Sequence, residues 1–287
     1  MIASMSDIEP GRGTLILCGT PIGNMSDTSP RLVAALREAD VIYAEDTRRS
    51  SYLLQTLGLS RPLRSYFAGN EAARSEELAR RLVSGQVVAL LTDAGMPAIS
   101  DPGLTAARAA HTAGAKVTVV PGPSAITAAL AVSGLPSDRF VFEGFLPRKQ
   151  SGRQALLTEL ASEPRTIVLF ASPARLVADL RDLADSLGGH RPAAVTRELT
   201  KLHEEVWRGS LAMAVSEFGD RPSIKGEVTI VVGPKPVVAA DLNAAAAAAR
   251  DAMAGGATPS EAVREAAAAH KVSRRLLYQE VIAGSES

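Results

Sequence analysis

Three short loops carry the residue types that could grip a small molecule. They are Gly19-Thr-Pro-Ile-Gly23-Asn24, the stretch TDAGMPAISDPG from Thr92 to Gly103, and Pro121-Gly-Pro-Ser124-Ala125. Each follows an apolar run of strand length: Thr14–Cys18, Val87–Leu91 and Lys116–Val120. Runs too short for helices and bounded by Gly and Pro read as buried parallel strands. Open α/β sheets bind ligands just beyond the carboxyl ends of such strands, so the loops are expected to converge on one site. GTPIGN is not the GxGxxG of dinucleotide binders, and no Gly-Lys-Ser/Thr follows to make a phosphate-cradling P-loop. Pro21, Pro97, Pro121 and Pro123 also remove backbone donors that a pyrophosphate cradle would use. A phosphate-free ligand held by carbonyls and a few amides fits better, and S-adenosyl-L-methionine is one such ligand. Asp93 either caps its loop by accepting backbone amides or meets the ligand. No His/Cys/Asp spacing indicates a metal, and His111 and His190 read as surface or turn residues.

The scaffold for these loops is an alternation of strand and helix. After strand Thr14–Cys18 a helix opens near Ser29-Pro30, Pro being suited to a first turn. Strand Val41–Ala44, helices around Ser50–Leu57 and Ser75–Val83, strand Val87–Leu91 and helix Leu104–Ala113 follow. Strand Lys116–Val120 and helix Ser124–Val132 complete the half. This order predicts βα units and a mostly parallel sheet. Glu45 and Asp46 follow the second strand, where a Rossmann-type fold carries its ribose-binding acid, but GTPIGN does not match that architecture. Ser133-Gly-Leu-Pro-Ser137 reads as a linker.

Beyond it, strands near Phe140–Glu143, Thr166–Phe170, Ala193–Thr196, Glu205–Arg208 and Glu227–Val232 outnumber helices at Ser151–Ala161 and Arg175–Leu187. A mixed sheet is therefore expected there. After Gly233-Pro-Lys-Pro-Val237 the Ala-rich Asn243–Ala254 predicts a helix. Thr258-Pro-Ser-Glu261 has the spacing of a capping box, and Ser273–Glu280 opens another helix. With a tight junction at His270-Lys271-Val272, these read either as a helix-turn-helix or as a helical cap. The expected organisation is an N-terminal α/β domain at 13–136, a C-terminal α/β domain at 137–237 and a helical appendage at 238–287.

Composition agrees with a globular enzyme. The 287 residues suggest about two domains, and 46% apolar with 22% charged residues can form a substantial core. The lone Cys18 excludes an internal disulfide, reads as core rather than nucleophile, and points to a reducing compartment. No apolar run nears the roughly 18 residues of a membrane span. The opening MIASMSDIEPGR lacks the basic-then-apolar order of a signal peptide, so a cytoplasmic location without membrane contact is expected. The 31 basic and 31 acidic residues balance, which argues against a coat on nucleic acid, DNA included, but allows local basic patches.

Longer motifs narrow the reading. GTPIGN, AEDTRRS (Ala44–Ser50), TDAGMPAISDPG, VVPGPSAITAAL and FEGFLPRK (Phe142–Lys149) resemble the tetrapyrrole methylase superfamily. SPARL (Ser172–Leu176), TRELTKLHEE (Thr196–Glu205) and KGEVTIVVG (Lys225–Gly233) extend the similarity, in order, from about Thr14 to Gly233. They are most similar to the branch called ribosomal RNA small-subunit methyltransferase I, which methylates the ribose 2′-oxygen of a decoding-centre cytidine in 16S rRNA. Branches that methylate corrinoid and porphyrinogen carbons carry GxGxGD and GGDP where this chain has GTPIGN and AGMP. The resemblance implies a two-domain tetrapyrrole-methylase-like α/β fold, S-adenosyl-L-methionine in the interdomain cleft, and usually a homodimer.

Carried over residue by residue, the resemblance places Pro21, Ile22 and Gly23 of the first loop against the cofactor. With them come Asp93, Ala94, Gly95, Met96 and Ile99 of the second loop and Ser124 with Ala125 of the third. Ala171 and the vicinity of Thr196 would close over the adenine. The branch often has Glu and His around the Ser-Pro of the 170s, where this chain has Ala171 and Ala174, leaving only backbone contacts there.

The implied reaction is an in-line displacement at a sulfonium carbon, for which positioning counts most. A ribose hydroxyl ionises reluctantly, so a base or an alkoxide-stabilising cation helps. Asp46 and Lys201 are expected to face the acceptor, with Glu198 as the other candidate; the alternative for Glu198 and Lys201 is a salt-bridged strand edge. Arg48-Arg49, Arg148-Lys149 with Arg153, and Arg274-Arg275 form basic clusters suited to RNA phosphates, with Tyr52, Tyr66 or Tyr278 as stacking faces. The acceptor is expected to be splayed from its neighbours to reach a cleft, and the appendage is a candidate docking unit for 16S rRNA. Two other classes remain: a tetrapyrrole C-methyltransferase with no use for the basic clusters, and a non-catalytic ribosome-assembly module that keeps a cofactor pocket.

Overall fold

The computed structural model describes residues 13–235, 242–270 and 272–283. The first twelve residues, the expected boundary at 237/238 and the junction residue Lys271 lie outside the described residues. The chain divides into two compact units, meeting in sequence at Pro234 and Lys235.

The first unit begins with the predicted alternation. Its elements are β1 (Thr14–Cys18), α1 (Pro30–Glu38), β2 (Val41–Ala44), α2 (Thr47–Thr56), β3 (Leu63–Ser65) and α3 (Glu71–Val83). Then come β4 (Val87–Leu91), α4 (Leu104–Thr112), β5 (Lys116–Val120) and α5 (Ala125–Ser133). The strands form one parallel sheet in the order β3-β2-β4-β1-β5. Its central strands are apolar along their whole length because helices cover both faces. Ile16, Ile42 and Leu91 pack on Leu32, Leu36 and Leu53 on one side; Leu15, Tyr43 and Leu90 pack on Leu78, Leu82 and Ala106 on the other. Ser29 starts α1 by accepting the Leu32 amide at 3.1 Å, with Pro30 in the first turn.

The second half of this unit contains β6 (Phe140–Phe145), α6 (Gln150–Leu160), β7 (Thr166–Ala171), α7 (Leu176–Leu187) and β8 (Pro192–Arg197). It ends with β9 (Glu205–Ser210), α8 (Leu211–Gly219) and β10 (Val228–Val232). The order is β6-β7-β10-β8-β9, and only β6 and β7 run parallel, so the sheet is mixed as expected.

Helix α5 joins the two sheets. It is apolar nearly all round, the mark of a helix buried on every side. Ile126, Ala129 and Leu130 pack into Val168, Ala194 and Val231 of the mixed sheet. Each large side chain so buried contributes about 1.5–3 kcal/mol. Arg208 of β9 then donates from Nε to the carbonyls of Val132 and Ser133, at 3.0 and 3.2 Å, satisfying the last turn of the helix. The two sheets are thereby fixed relative to each other, and the loops between them are held at a set spacing.

One expected basic patch is altered. Arg148 and Lys149 are exposed at the start of α6, but Arg153 is buried. Its guanidinium bonds Asp179 at 2.6 Å and Asp182, and reaches the Pro147 carbonyl at 3.4 Å. It ties the Phe145–Lys149 turn to α7 and is withheld from solution, so no phosphate contact is open to it.

The second unit packs α9 (Leu242–Ala254), α10 (Pro259–His270) and α11 (Arg274–Ala283) around Ala245, Ala249, Val263, Ala266 and Leu277. Small side chains let the helices approach closely. The expected capping box is present: the Glu261 amide donates to Thr258 Oγ1 at 3.4 Å, and the Thr258 amide to Glu261 Oε2 at 3.2 Å. Arg274, Arg275 and Tyr278 are exposed. No helix among the described residues is long and apolar enough to cross a membrane.

Candidate active site

Backbone contacts bring the three loops together. Thr20 and Gly95 form a two-way bridge, with N···O distances of 2.9 and 3.2 Å, that ties the first loop to the second. The first and third loops meet through glycines. A Cβ on Gly19 would stand 2.6 Å from the Gly122 nitrogen, and one on Gly122 would stand 2.7 Å from the Gly19 carbonyl carbon. No larger residue fits at either position without separating the loops.

The second loop is held under strain. Ala98 and Ser100 adopt positive φ values of 69° and 62°, which cost roughly 1–3 kcal/mol each for residues with a Cβ. The loop is clamped by Ala98 N to Pro102 O at 3.2 Å and by the Gly103 amide to Glu71 Oε1 at 3.2 Å. A second strained turn, with Glu198 at φ 52° and Thr200 at φ 68°, follows β8 and faces the first loop. Here the Lys201 stem lies on Gly23, where a Cβ would come within 2.4 Å of Lys201 Cγ.

Between the sheets lies a cavity of about 430 Å³. Ile22, Asp93, Ala94, Gly95, Met96, Ile99, Ser124, Ala125 and Ala171, all expected from the sequence, line it. Phe145, Phe170 and Thr229 of the mixed sheet close it, and Glu45, Asp101 and Glu227 add carboxylates. Thr196 is one strand removed: buried, it donates from Oγ1 to the Thr229 carbonyl at 3.3 Å. A second cavity of about 530 Å³ adjoins the first and shares Arg49 and Asp93 with it. Pro21 and Asp46 line this second cavity with Thr20, Arg48 and Tyr52. Gly23 lines neither cavity and instead supports Lys201.

The electrostatics of the first cavity are one-sided. Burial, then the charges of Glu45 and Asp93, push the Asp101 carboxyl up to about 6. Glu45 is also raised, by burial and by Asp93. Arg49 answers Asp93 at 3.5 Å, and Asp93 Oδ1 also accepts the Asp46 amide at 3.0 Å. Around the rim, Lys201 Nζ bonds Glu198 at 2.8 Å and Glu227 at 3.0 Å. Burial alone would lower the lysine, but those two carboxylates outweigh it and hold the group above its ordinary value. Asp46 is held well below the usual carboxylate range by the side chain and amide of Arg48, the amide donating at 2.8 Å. Cys18 is buried under the site, and desolvation pushes its thiol up to about 12, which leaves it a core residue.

Sequence reasoning did not single out Asp101, Glu227, Phe145 or Phe170. Asp101 stands in the Ser-Asp-Pro-Gly run of the second loop and was legible as a turn carboxylate. Phe145 and Phe170 come from strands of the other sheet and Glu227 from the residue just before β10, and only the fold delivers them.

Loops at the carboxyl ends of a parallel sheet, closed by a second sheet over an acidic, partly apolar cleft, define an α/β protein with a small-molecule site. Residues 14–214 match the family of Tetrapyrrole (Corrin/Porphyrin) Methylases, and the chain belongs to that family. It is 48% identical over 275 residues to "Ribosomal RNA small subunit methyltransferase I" of Mycobacterium tuberculosis, covering 94% of this chain and 95% of that protein. The protein of the same name from Synechocystis is 45% identical over 270 residues, covering 93% and 96%. That from Thermotoga maritima is 46% identical over 223 residues, covering 78% of this chain and 99% of its own length. Among solved structures, the uroporphyrin-III-C-methyltransferase of Thermus thermophilus superposes with a TM-score of 0.56 at 23% identity, covering 77% of this chain and 94% of that one. A diphthine synthase does so with 0.59 at 18%, covering 77% and 90%. These two likenesses concern the fold alone.

The chain is thus an S-adenosyl-L-methionine-dependent methyltransferase. The cofactor fits the residues present. Glu45, Asp93 and Asp101 offer carboxylates to a positively charged ligand, and Ile22, Met96 and Phe170 offer apolar surface to an aromatic base. A cavity of about 430 Å³ is of the size that encloses a small ligand.

Proposed function

We propose that the chain methylates small-subunit ribosomal RNA, transferring the methyl group to the ribose 2′-oxygen of a decoding-centre cytidine in 16S rRNA. The observation that carries this reading is the identity of 45–48% over more than nine-tenths of the chain to relatives named as ribosomal RNA small subunit methyltransferases. Bound S-adenosyl-L-methionine supplies an activated methyl group on a positively charged sulfur. The protein's part is then chiefly alignment, which alone can supply several kcal/mol of barrier lowering. Ile22, Ala94, Gly95, Met96, Ile99, Ser124, Ala125 and Ala171 hold the cofactor, and Asp93 holds its charge. Pro21 stands on the acceptor side of the first loop, Gly23 supports the Lys201 stem, and Thr196 acts only by fixing Thr229.

Lys201 enters the reaction as a cation. Its ammonium, fixed by Glu198 and Glu227 at the rim, stabilises charge developing on the acceptor oxygen. Asp46 stays ionised and orients Arg48 toward the acceptor side. Arg48, Arg49, Arg148 and Lys149 position the RNA backbone, and the appendage at 238–287 adds Arg274 and Arg275. On this reading 13–136 and 137–237 are the two domains that share the cofactor. The active species is a homodimer, which sedimentation velocity would check.

The test uses small subunits and free rRNA from a strain lacking this protein, incubated with it and tritiated S-adenosyl-L-methionine. Nuclease digestion and mass spectrometry then locate the label. One labelled ribose in the decoding region is the expected result. No incorporation into either RNA form, with cofactor binding intact, would refute the reading and favour a small acceptor.

A further inference from the structure

The second cavity adjoins the cofactor cleft and is built against the same wall. Thr20 and Pro21 of the first loop form one side, and α2 forms the other with Arg48, Arg49 and Tyr52. Residues 48, 49 and 52 stand at i, i+1 and i+4 of that helix, so Arg48 and Arg49 each lie one turn from Tyr52. The Tyr52 ring is 67% exposed, the Arg48 side chain 90% and the Arg49 side chain 63%. An uncovered aromatic side chain normally costs free energy in water, and this one stands two-thirds exposed. Leu53 and Met25 give the cavity an apolar floor, while Asp46 fixes the Arg48 guanidinium through Nη2 at 2.7 Å. Flat apolar face, guanidinium pair and fixed orientation are what one unstacked nucleotide asks for: a ring to stack on and a phosphodiester to pair with.

We propose that this second cavity receives an unstacked nucleotide of the RNA acceptor. Its base stacks on Tyr52 and its phosphodiester is paired by Arg48 and Arg49. The Arg49–Asp93 ion pair is the partition across which its ribose faces the cofactor cleft. Arg49 belongs to both cavities, so it couples acceptor and cofactor sides of the site. The proposal rests on the ribosomal RNA reading given above.

The experiment compares the full chain with Tyr52→Ala, Tyr52→Phe and Arg48→Ala, using undermethylated small subunits and tritiated cofactor. Calorimetry measures cofactor affinity alongside. Base stacking is worth about 1–3 kcal/mol, so Tyr52→Ala should raise the KM for RNA roughly 5- to 150-fold. Tyr52→Phe should restore it, and cofactor affinity should stay within about twofold in all variants. Arg48→Ala should lower the slope of log KM against log salt by about 0.7, the value for one single-strand phosphate contact. An unchanged KM for Tyr52→Ala, equal damage from Tyr52→Phe, or a parallel loss of cofactor affinity would each overturn the proposal. Failure of the parent protein to methylate any RNA would instead refute the functional reading on which it stands, and is visible before any variant is made.

Discussion

Replacing Asp101 by Asn should stabilise the cofactor-free protein and weaken its grip on S-adenosyl-L-methionine. Asp101 faces Glu45, Asp93 and Glu227, and their charges together with burial hold its carboxyl at about 6. Arg49 is engaged by Asp93, Lys201 by Glu198 and Glu227, and among the described residues no cation pairs with Asp101. Raising an aspartate from its ordinary value near 4 to about 6 corresponds to roughly 3 kcal/mol. The group is only half-buried, and solvent screening reduces this to about 1–2 kcal/mol.

The sign follows from linkage. The folded-state value lies above the unfolded one, so ionisation is the unfavourable event. Its cost is absent below about pH 4, grows through the window up to about 6, and is complete above that. At pH 8 the variant should therefore melt about 3–6 °C above the parent, and at pH 4 the two should coincide. Saturating cofactor should reverse the order at pH 8, because its positive charge repays the parent's carboxylate and not the amide. Scanning fluorimetry at pH 4, 6 and 8, with and without cofactor, reads all of this. A variant no more stable than the parent at pH 8, or a difference that ignores pH, would refute the electrostatic account of the cleft.

Other substitutions probe other parts of the site. Lys201→Ala should lower turnover about 100-fold while cofactor affinity measured by calorimetry changes little, since the ammonium acts on charge that develops during transfer; undiminished turnover would remove it from the reaction. Gly122→Ala should abolish cofactor binding and cost about 1–3 kcal/mol in a urea melt, because its Cβ meets the Gly19 backbone at 2.7 Å. Arg153→Met should cost about 1–3 kcal/mol by leaving buried Asp179 only the longer 3.5 Å pair with Arg175, and a melt within 1 °C of the parent would show the Arg153 pair to be dispensable.

The first sheet was legible because its chemistry is written locally. β1, β2, β4 and β5 are apolar runs closed by Gly19, Glu45-Asp46, Thr92-Asp93 and Pro121, and their limits match those read from the residues. β3 is three residues, Leu63–Ser65, just after Arg61-Pro62 at the edge of the sheet, and carries no such signal. α8 escaped for a different reason: its Ser210 cap and the Leu211, Ala214 and Phe218 stripe were present, but they follow a strand without a break. In the site, the loop residues were legible and the partition between cavities was not. Pro21 and Ile22 are neighbours in sequence, yet one faces the second cavity and the other the first. Only the pairing of Thr20 with Gly95, a long-range event, decides which way each points.

On the ribose-acceptor reading proposed above, the division of charge in this site bears on where the hydroxyl proton goes. Asp46, bonded by Arg48 and its amide, binds a proton weakly and is a poor base. Lys201, raised by two carboxylates, already holds its proton and can only donate or stabilise. Asp101 is the carboxyl whose affinity lies close to neutrality, but the cofactor's positive charge must lower it on binding. None of these side chains is therefore a strong base in the loaded enzyme. A sulfonium is a sufficiently good leaving group that strong base is not required once the oxygen is aligned. What the fold supplies instead is the Arg49–Asp93 pair at 3.5 Å, with the clamped loops behind it, shared by the two cavities. The acceptor oxygen then gives up its proton to water or a nearby carboxylate as the methyl group moves, and the Lys201 ammonium meets the partial negative charge left on it. A flat dependence of turnover on pH above about 7, with RNA saturating, is the result this order of events requires. A rate rising tenfold per pH unit through pH 9 would mean that the alkoxide must form first.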